Sequence, residues 1–128
     1  MKIKMYQVFK VLEIYKRVKE AKAPARVAYK FNKLCIELEK DANFYTEELK
    51  KIVEQYADRD GSGTIMKTAE GDVIQLKPEY VKTAQNEIDA LWTLDIDAPD
   101  IEFSIDELDG LELSIEDFNS MLPFIKED

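Results

Sequence analysis

The 128-residue chain has no histidine and a single cysteine. Without imidazole, Ser-His-Asp and Cys-His catalytic arrangements and imidazole metal sites are excluded. Cys35 can form no intrachain disulfide, and its place on an apolar helical stripe favours a buried side chain over a nucleophile. No glycine-rich phosphate loop stands between a strand and a helix. We therefore predict a protein that is not an enzyme and needs no cofactor.

Long hydrophobic runs are also missing. The opening "MKIKMYQVFKVLEIYKRVKE" begins with lysines, as signal peptides do, but Lys10, Glu13 and Lys16 interrupt each apolar run. No run approaches the roughly 20 residues that a membrane-spanning helix needs. We expect no membrane partner, and we expect the protein to act where it is made or inside a particle assembled there.

Basic residues are scarce in the second half of the chain. Through residue 57, 13 Lys and Arg face 8 Asp and Glu; from residue 58 onward, 5 basic residues face 19 acidic ones. Between Lys82 and Lys126 there is no basic residue. Because an acidic surface repels nucleic acids and anionic membranes, direct nucleic-acid binding is not expected.

Apolar spacing predicts an α+β fold that is mainly α. Apolar residues three or four apart indicate one helix over residues 6–21 and a second from 25 to about 57. We predict long antiparallel N-terminal helices with a small β-hairpin and edge strand, then short C-terminal helices. The expected single domain, 1–128, is helical over 1–57, forms a hairpin at about 64–76 and a helix at about 79–93, and ends in an acidic strand and short helices over 94–128.

The predicted second helix is longer than the first helix can cover. At about 1.5 Å per residue it extends roughly 50 Å, about twice the length of the first helix. A second chain or the C-terminal half must cover the rest, so we predict a possible homo-oligomer. The residues expected to be largely buried along it are Leu34, Leu38, Tyr45, Leu49 and Ile52.

The stretch "DRDGSGTIMKTAE" resembles a calcium loop without completing one. Asp58, Asp60 and Ser62 stand at the first, third and fifth ligand positions of an EF-hand. The twelfth position, which should carry a bidentate glutamate, holds Ala69, and Glu70 comes one residue late. The β-prone residues after Gly71 also occupy the place of the exiting helix. We predict a solvated turn rather than a metal site, with calcium as the weaker alternative.

The C-terminal region contains a short internal repeat. "SIDELDGLEL" is followed directly by "SIEDFNSMLP". Each begins with a serine and carries an acid three residues later, the capping-box pattern in which both groups satisfy backbone N–H donors at a helix start. We predict two short helices that close the core with the inward-facing residues Leu108, Leu111, Phe118, Met121 and Leu122.

Ten carboxylates and no basic residue lie between Asp95 and Asp117. Such a run repels itself unless a cation offsets it. The basic first helix, with Lys10, Lys16, Arg17 and Lys19, could do so, as could a basic surface on another molecule; a merely solvated face is the remaining interpretation. The candidate partner-binding residues are Asp95, Asp97, Asp100, Glu102, Asp106, Glu107 and Asp109.

Three stretches carry a family resemblance: "APARVAYKFNKLCIELEKD", "YTEELKKIVEQYADRDG" and "IDELDGLELSIEDFNSMLPFI". The chain resembles an uncharacterised family of small proteins encoded by tailed phages and prophages of Gram-positive bacteria. That family has no assigned activity and no catalytic residues to carry over. The resemblance implies a phage origin, an accessory role, and a location in the cytoplasm of the bacterial host or in the virion.

Three functions remain in competition. The first is a phage accessory protein that binds a host or phage protein as inhibitor, adaptor or assembly helper, including action against a host defence system. The second is an acidic nucleic-acid mimic that blocks a nuclease. The third is a minor virion component held by symmetric self-association.

Overall fold

A computed structural model describes residues 1–67 and 74–126, which are mainly helical with a small antiparallel sheet. The α+β, mainly α fold class is thus confirmed. Among the described residues, no helix combines the length and apolar character that a membrane crossing requires. The elements are β1 (Lys2–Lys4), α1 (Met5–Val18), α2 (Ala25–Tyr56), a 3₁₀ turn (Pro78–Tyr80), α3 (Val81–Trp92), β2 (Asp95–Asp97), α4 (Ile105–Asp109), α5 (Ile115–Met121) and a second 3₁₀ turn (Leu122–Phe124).

The chain divides into two compact units. The first contains Met1–Asn43 and Leu94–Asp128, and the second contains Phe44–Thr93. Residues 25–43 of α2 belong to the first unit and residues 44–56 to the second. The expectation of one domain over residues 1–128 stays a prediction.

The first residues of the chain form a strand, which corrects the expectation of helix over 1–57. β1 pairs antiparallel with β2, with Ile3 opposite Ile96 and both side chains buried. Lysines flank Ile3 as aspartates flank Ile96, and this alternation places one apolar side chain inward per strand. The amide of Met5 continues the pairing by donating to the Leu94 carbonyl at 2.9 Å. The predicted acidic edge strand is therefore present, and its partner is the N-terminal segment.

The core of the first unit lies between α1, α2 and the C-terminal segments. Leu34 and Leu38 are fully buried, as predicted. The rings of Phe31 and Phe103 meet with centroids 4.7 Å apart, and Phe103 exchanges backbone hydrogen bonds with Phe124 and Lys126. The buried apolar residues of this unit are Ile3, Met5, Val8, Val11, Ile14, Val18, Val27, Phe31, Leu34, Cys35, Leu38, Ala42, Ile96, Phe103, Leu108, Leu111, Met121 and Phe124.

The internal repeat folds into α4 and α5, each with a complete capping box at its first turn. Leu108, Leu111 and Met121 are buried as expected, and Phe118 is half-buried. The expectation for Leu122 was wrong, because its side chain is 55% exposed. The chain turns into a 3₁₀ conformation at Leu122, and Phe124 takes the inward position instead.

The second unit combines the end of α2 with α3 and a series of isolated bridges. Antiparallel bridges join Ala57 to Leu76 and Lys67 to Ile74, while residues 68–73 of the predicted hairpin lie outside the described part. Aromatic pairs connect α2 to α3 and to the 3₁₀ turn before it: Tyr45 with Trp92 at 5.2 Å and Tyr56 with Tyr80 at 5.4 Å between ring centroids. Three residues expected to be largely buried are only half-buried here, namely Tyr45, Leu49 and Ile52.

Candidate protein-binding surface

The two carboxylates of β2 are held by the lysines of β1. Lys4 Nζ lies 2.6 Å from Asp95 Oδ1, and Lys2 forms the equivalent pair with Asp97. These are directly opposed positions in the register, so the sheet itself brings each pair together. The hydrogen bond from Lys2 lowers the pKa of Asp97. Two of the candidate partner-binding residues, Asp95 and Asp97, are thus paired with lysines of the same chain.

Glu107 on α4 closes its capping box and also binds α2. Its Oε1 accepts from the Ser104 amide at 2.9 Å and from Lys30 Nζ at 2.8 Å. Arg26 Nε approaches the same carboxylate at 3.5 Å. The hydrogen bond from Lys30, followed by that from the Ser104 amide, lowers the pKa of Glu107. This side chain therefore fixes α4 to the start of α2.

Asp117 on α5 repeats that arrangement with α1. Its Oδ2 accepts from the Ser114 amide at 3.0 Å, and its Oδ1 accepts from Arg17 Nη2 at 2.6 Å. Asp117 is buried, and the Arg17 hydrogen bond lowers its pKa. Lys10 adds a longer contact with Glu116, at 3.5 Å. The basic first helix therefore offsets part of the acidic run, as one of the sequence-based alternatives anticipated.

Four of the seven candidate carboxylates have no ion-pair partner among the described residues. Across residues 1–67 and 74–126, no ion pair within 4 Å involves Asp100, Glu102, Asp106 or Asp109. Asp100 and Glu102 lie between β2 and α4, and the other two lie on α4. Ile105, among them in sequence, is 59% exposed. We call these five residues the acidic–apolar patch.

Sequence reasoning missed four of the cations that neutralise the run: Lys2, Lys4, Arg26 and Lys30. The first two had a readable signal, because Lys2-Ile3-Lys4 mirrors the alternation of residues 95–97 with opposite charge. No sequence signal marks Lys30, because its contact with Glu107 depends on how α4 packs against α2. The sequence thus showed the charge asymmetry but not which carboxylates would remain unpaired.

The calcium-like loop uses its own side chains to make a turn. Asp60 Oδ1 accepts from the Ser62 amide at 2.9 Å, the Ser62 hydroxyl at 2.6 Å and the Thr64 amide at 3.1 Å. These hydrogen bonds lower the pKa of Asp60, that from the Ser62 hydroxyl most. Gly63 takes a positive φ of 85°, which glycine adopts without strain. Asp58 precedes this turn and accepts a hydrogen bond from the Arg59 amide at 2.9 Å, and Glu70 lies outside the described residues.

The described residues at and around that turn form no metal cluster. In the described part of the chain, no group of three or more Cys, Asp or Glu side chains is arranged to hold a metal ion. A cavity of about 260 Å³ lies between the end of α1 and the start of α2, lined by Val18, Val27, Phe31 and Leu111 among others. Its volume is below the roughly 300 to 1,000 Å³ of small-molecule sites. Two larger pockets, of about 350 and 660 Å³, are wide open to solvent, so an exposed surface is the better candidate for function.

Comparison with known proteins supplies no family. No protein-family model, curated protein sequence or solved structure matches this chain. The resemblance to proteins of tailed phages stays a prediction, and function must be argued from the surface.

Proposed function

We propose that this chain is a non-enzymatic accessory protein of phage type that binds another protein of the host or the phage, as inhibitor, adaptor or assembly helper. The observation that carries the proposal is the acidic–apolar patch. Four carboxylates that make no ion pair in the described part of the chain accompany an exposed isoleucine within ten residues. Protein interfaces commonly combine an apolar anchor, which supplies affinity, with charges that set partner choice and association rate.

A nucleic-acid mimic is less well supported. That function required a regular row of free carboxylates along a strand, spaced like phosphates. β2 is three residues long, and both of its aspartates are paired with lysines. The unpaired acids lie instead on a connecting segment and a five-residue helix. We therefore propose a protein partner with a basic surface, no direct contact with nucleic acid, and location in the bacterial cytoplasm or in a virion.

The test uses the immobilised protein in lysate from an infected Gram-positive host. The patch variant carries Asp100→Lys, Glu102→Lys and Asp106→Lys. A matched control carries Glu47→Lys, Glu54→Lys and Glu79→Lys, the same change of charge at exposed positions of the second unit. We expect a protein retained by the wild type and the control to be lost by the patch variant. Equal retention by all three chains would refute the role of the patch.

The proposal also includes self-association as a homo-oligomer. The first argument for it, an uncovered second half of α2, is weakened because α3 and aromatic contacts accompany residues 44–56. Two surfaces of the first unit, on α1 and on α5, give a stronger argument for self-association.

A further inference from the structure

α1 carries more apolar surface than its unit covers. Its fully covered residues are Met5, Val8, Val11, Ile14 and Val18. Phe9, Leu12 and Tyr15 are only half-buried, although they follow one another at intervals of three along the same helix. A helix with one covered stripe and a second, partly covered stripe has an apolar arc wider than one neighbour needs.

The second stripe lines an open groove of about 660 Å³ between α1 and α2. Tyr15 Oη donates to Asn32 Oδ1 at 2.6 Å, which sets the two helices in register. Glu39 also lines the groove and lies seven residues, about 10 Å, beyond Asn32 on α2. Because a six-residue connection makes the helices antiparallel, Glu39 is at the Phe9 end of the groove.

The opposite end of the groove is basic. Lys16 and Lys19 line it there, and neither makes an ion pair within 4 Å in the described part of the chain. The neighbouring cations Lys10 and Arg17 are turned toward α5 instead. The groove thus has an apolar floor with two positive charges at one end, while Glu13 and Glu39 are the acidic residues of its lining.

α5 presents exposed apolar and acidic side chains, which complement the apolar floor and the lysines of the groove. Ile115 is 83% exposed, Leu122 is 55% exposed and Phe118 is half-buried. Their spacing of three and four residues places them on one face of the helix and its 3₁₀ extension. The exposed carboxylate Glu112 precedes α5, and Glu116 lies in its first turn, where it also makes the 3.5 Å contact with Lys10 of its own chain. Ile115 to Leu122 spans about 10 Å, which matches Phe9 to Lys16 on α1.

We propose that α5 of one copy docks into the α1–α2 groove of a second copy. Ile115, Phe118 and Leu122 contact the apolar floor, and the acidic start of α5 lies against Lys16 and Lys19. A two-fold axis lets each copy supply both surfaces, which doubles the buried area of a small contact. This inference deepens the self-association included in the proposed function, but it involves no residue of the acidic–apolar patch.

The internal repeat supplies a matched pair of substitutions. Ile115→Glu changes the proposed interface, whereas Ile105→Glu makes the same change at the corresponding position of α4. Both isoleucines are exposed, so neither substitution opens the core. Sedimentation velocity from about 1 μM to about 1 mM then measures self-association of each chain. We expect Ile115→Glu to raise the dissociation constant more than about tenfold and Ile105→Glu to leave it unchanged.

Crosslinking tests which surfaces meet. A Leu12→Cys chain is mixed with an Ile115→Cys chain and oxidised, and the control mixture replaces the second chain with Ile105→Cys. Because Cys35 is buried, the introduced thiols are the reactive ones. We expect the mixed disulfide to form preferentially in the first mixture. A wild type that stays monomeric up to about 1 mM, or equal yields in both mixtures, would overturn the proposal.

Sedimentation and partner retention together separate the proposed α5–groove contact from the proposed role of the acidic–apolar patch. Loss of self-association in Ile115→Glu with partner retention intact would support the groove contact alone. Partner loss in the patch variant without dissociation would support the acidic–apolar patch alone.

Discussion

The two parts of α2 have similar apolar spacing but differ in how deeply their side chains are covered. In residues 25–43, Phe31, Leu34 and Leu38 are among six buried positions. In residues 44–56, Tyr45, Leu49 and Ile52 are half-buried. Helical periodicity determines which face of a helix is apolar, but the depth of burial depends on elements that pack there from elsewhere in the chain.

The largest expected effect compares one substitution in the two parts of the helix. Leu38→Ala leaves a cavity in a fully covered site and should lower the free energy of unfolding by roughly 2 to 5 kcal/mol. Leu49→Ala removes the same atoms from a half-covered site, so its cost should be smaller by at least about 1 kcal/mol. Urea denaturation followed by circular dichroism measures both. Equal losses would mean that the two parts of α2 are covered to the same depth in solution.

How well the sequence predicts an element depends on the length of the element and on how far away in the chain its partners lie. α1 and α2 could be placed because their periodicity is long and a proline separates them. β1 could not, because three residues carry little periodic signal and its pairing with β2 joins positions more than 90 residues apart. Leu122 was misplaced for a local reason, since the 3₁₀ turn changes the spacing on which the inward assignment depended.

The candidate surface was only half predictable. The acidic run and both capping boxes are visible in the sequence, because each is defined by neighbouring residues. Pairing inside the run depends on tertiary contacts: Glu107 with Lys30 and Asp117 with Arg17 are 77 and 100 residues apart. The unpaired carboxylates could be recognised only after those contacts were known.

A second, smaller effect tests the attachment of α5 to α1. Asp117→Asn keeps the side-chain volume but removes the charge that binds Arg17 and caps the helix. We expect it to lower the free energy of unfolding by about 1 to 2 kcal/mol at neutral pH. Glu116→Gln is the matched control, because its carboxylate is largely exposed and makes a longer ion pair. Its expected effect is below about 0.5 kcal/mol.

The pH dependence distinguishes this attachment from packing. The pKa of Asp117 is lower in the folded chain than its ordinary value near 4. Its contribution to stability is therefore complete above about pH 4 and disappears as the pH falls through the folded value. The difference between wild type and Asp117→Asn should shrink in acid. A difference that stays constant down to about pH 2 would show that packing, and not charge, is responsible.

The well-covered part of α2 also contains Cys35. Burial raises the pKa of this thiol to about 12, whereas an unfolded cysteine titrates near 8.5. Above about pH 8.5 the unfolded chain releases a proton that the folded chain keeps, so the thiol's contribution to stability falls as pH rises. Other groups contribute equally to both chains, so comparison with Cys35→Ala cancels their contribution. Between about pH 8 and pH 10 the free energy of unfolding of the wild type should fall more steeply than that of Cys35→Ala. Parallel slopes of the free energy of unfolding against pH would indicate that the thiol reaches water in the folded state. Cys35 would then no longer distinguish the well-covered part of α2 from the half-covered part.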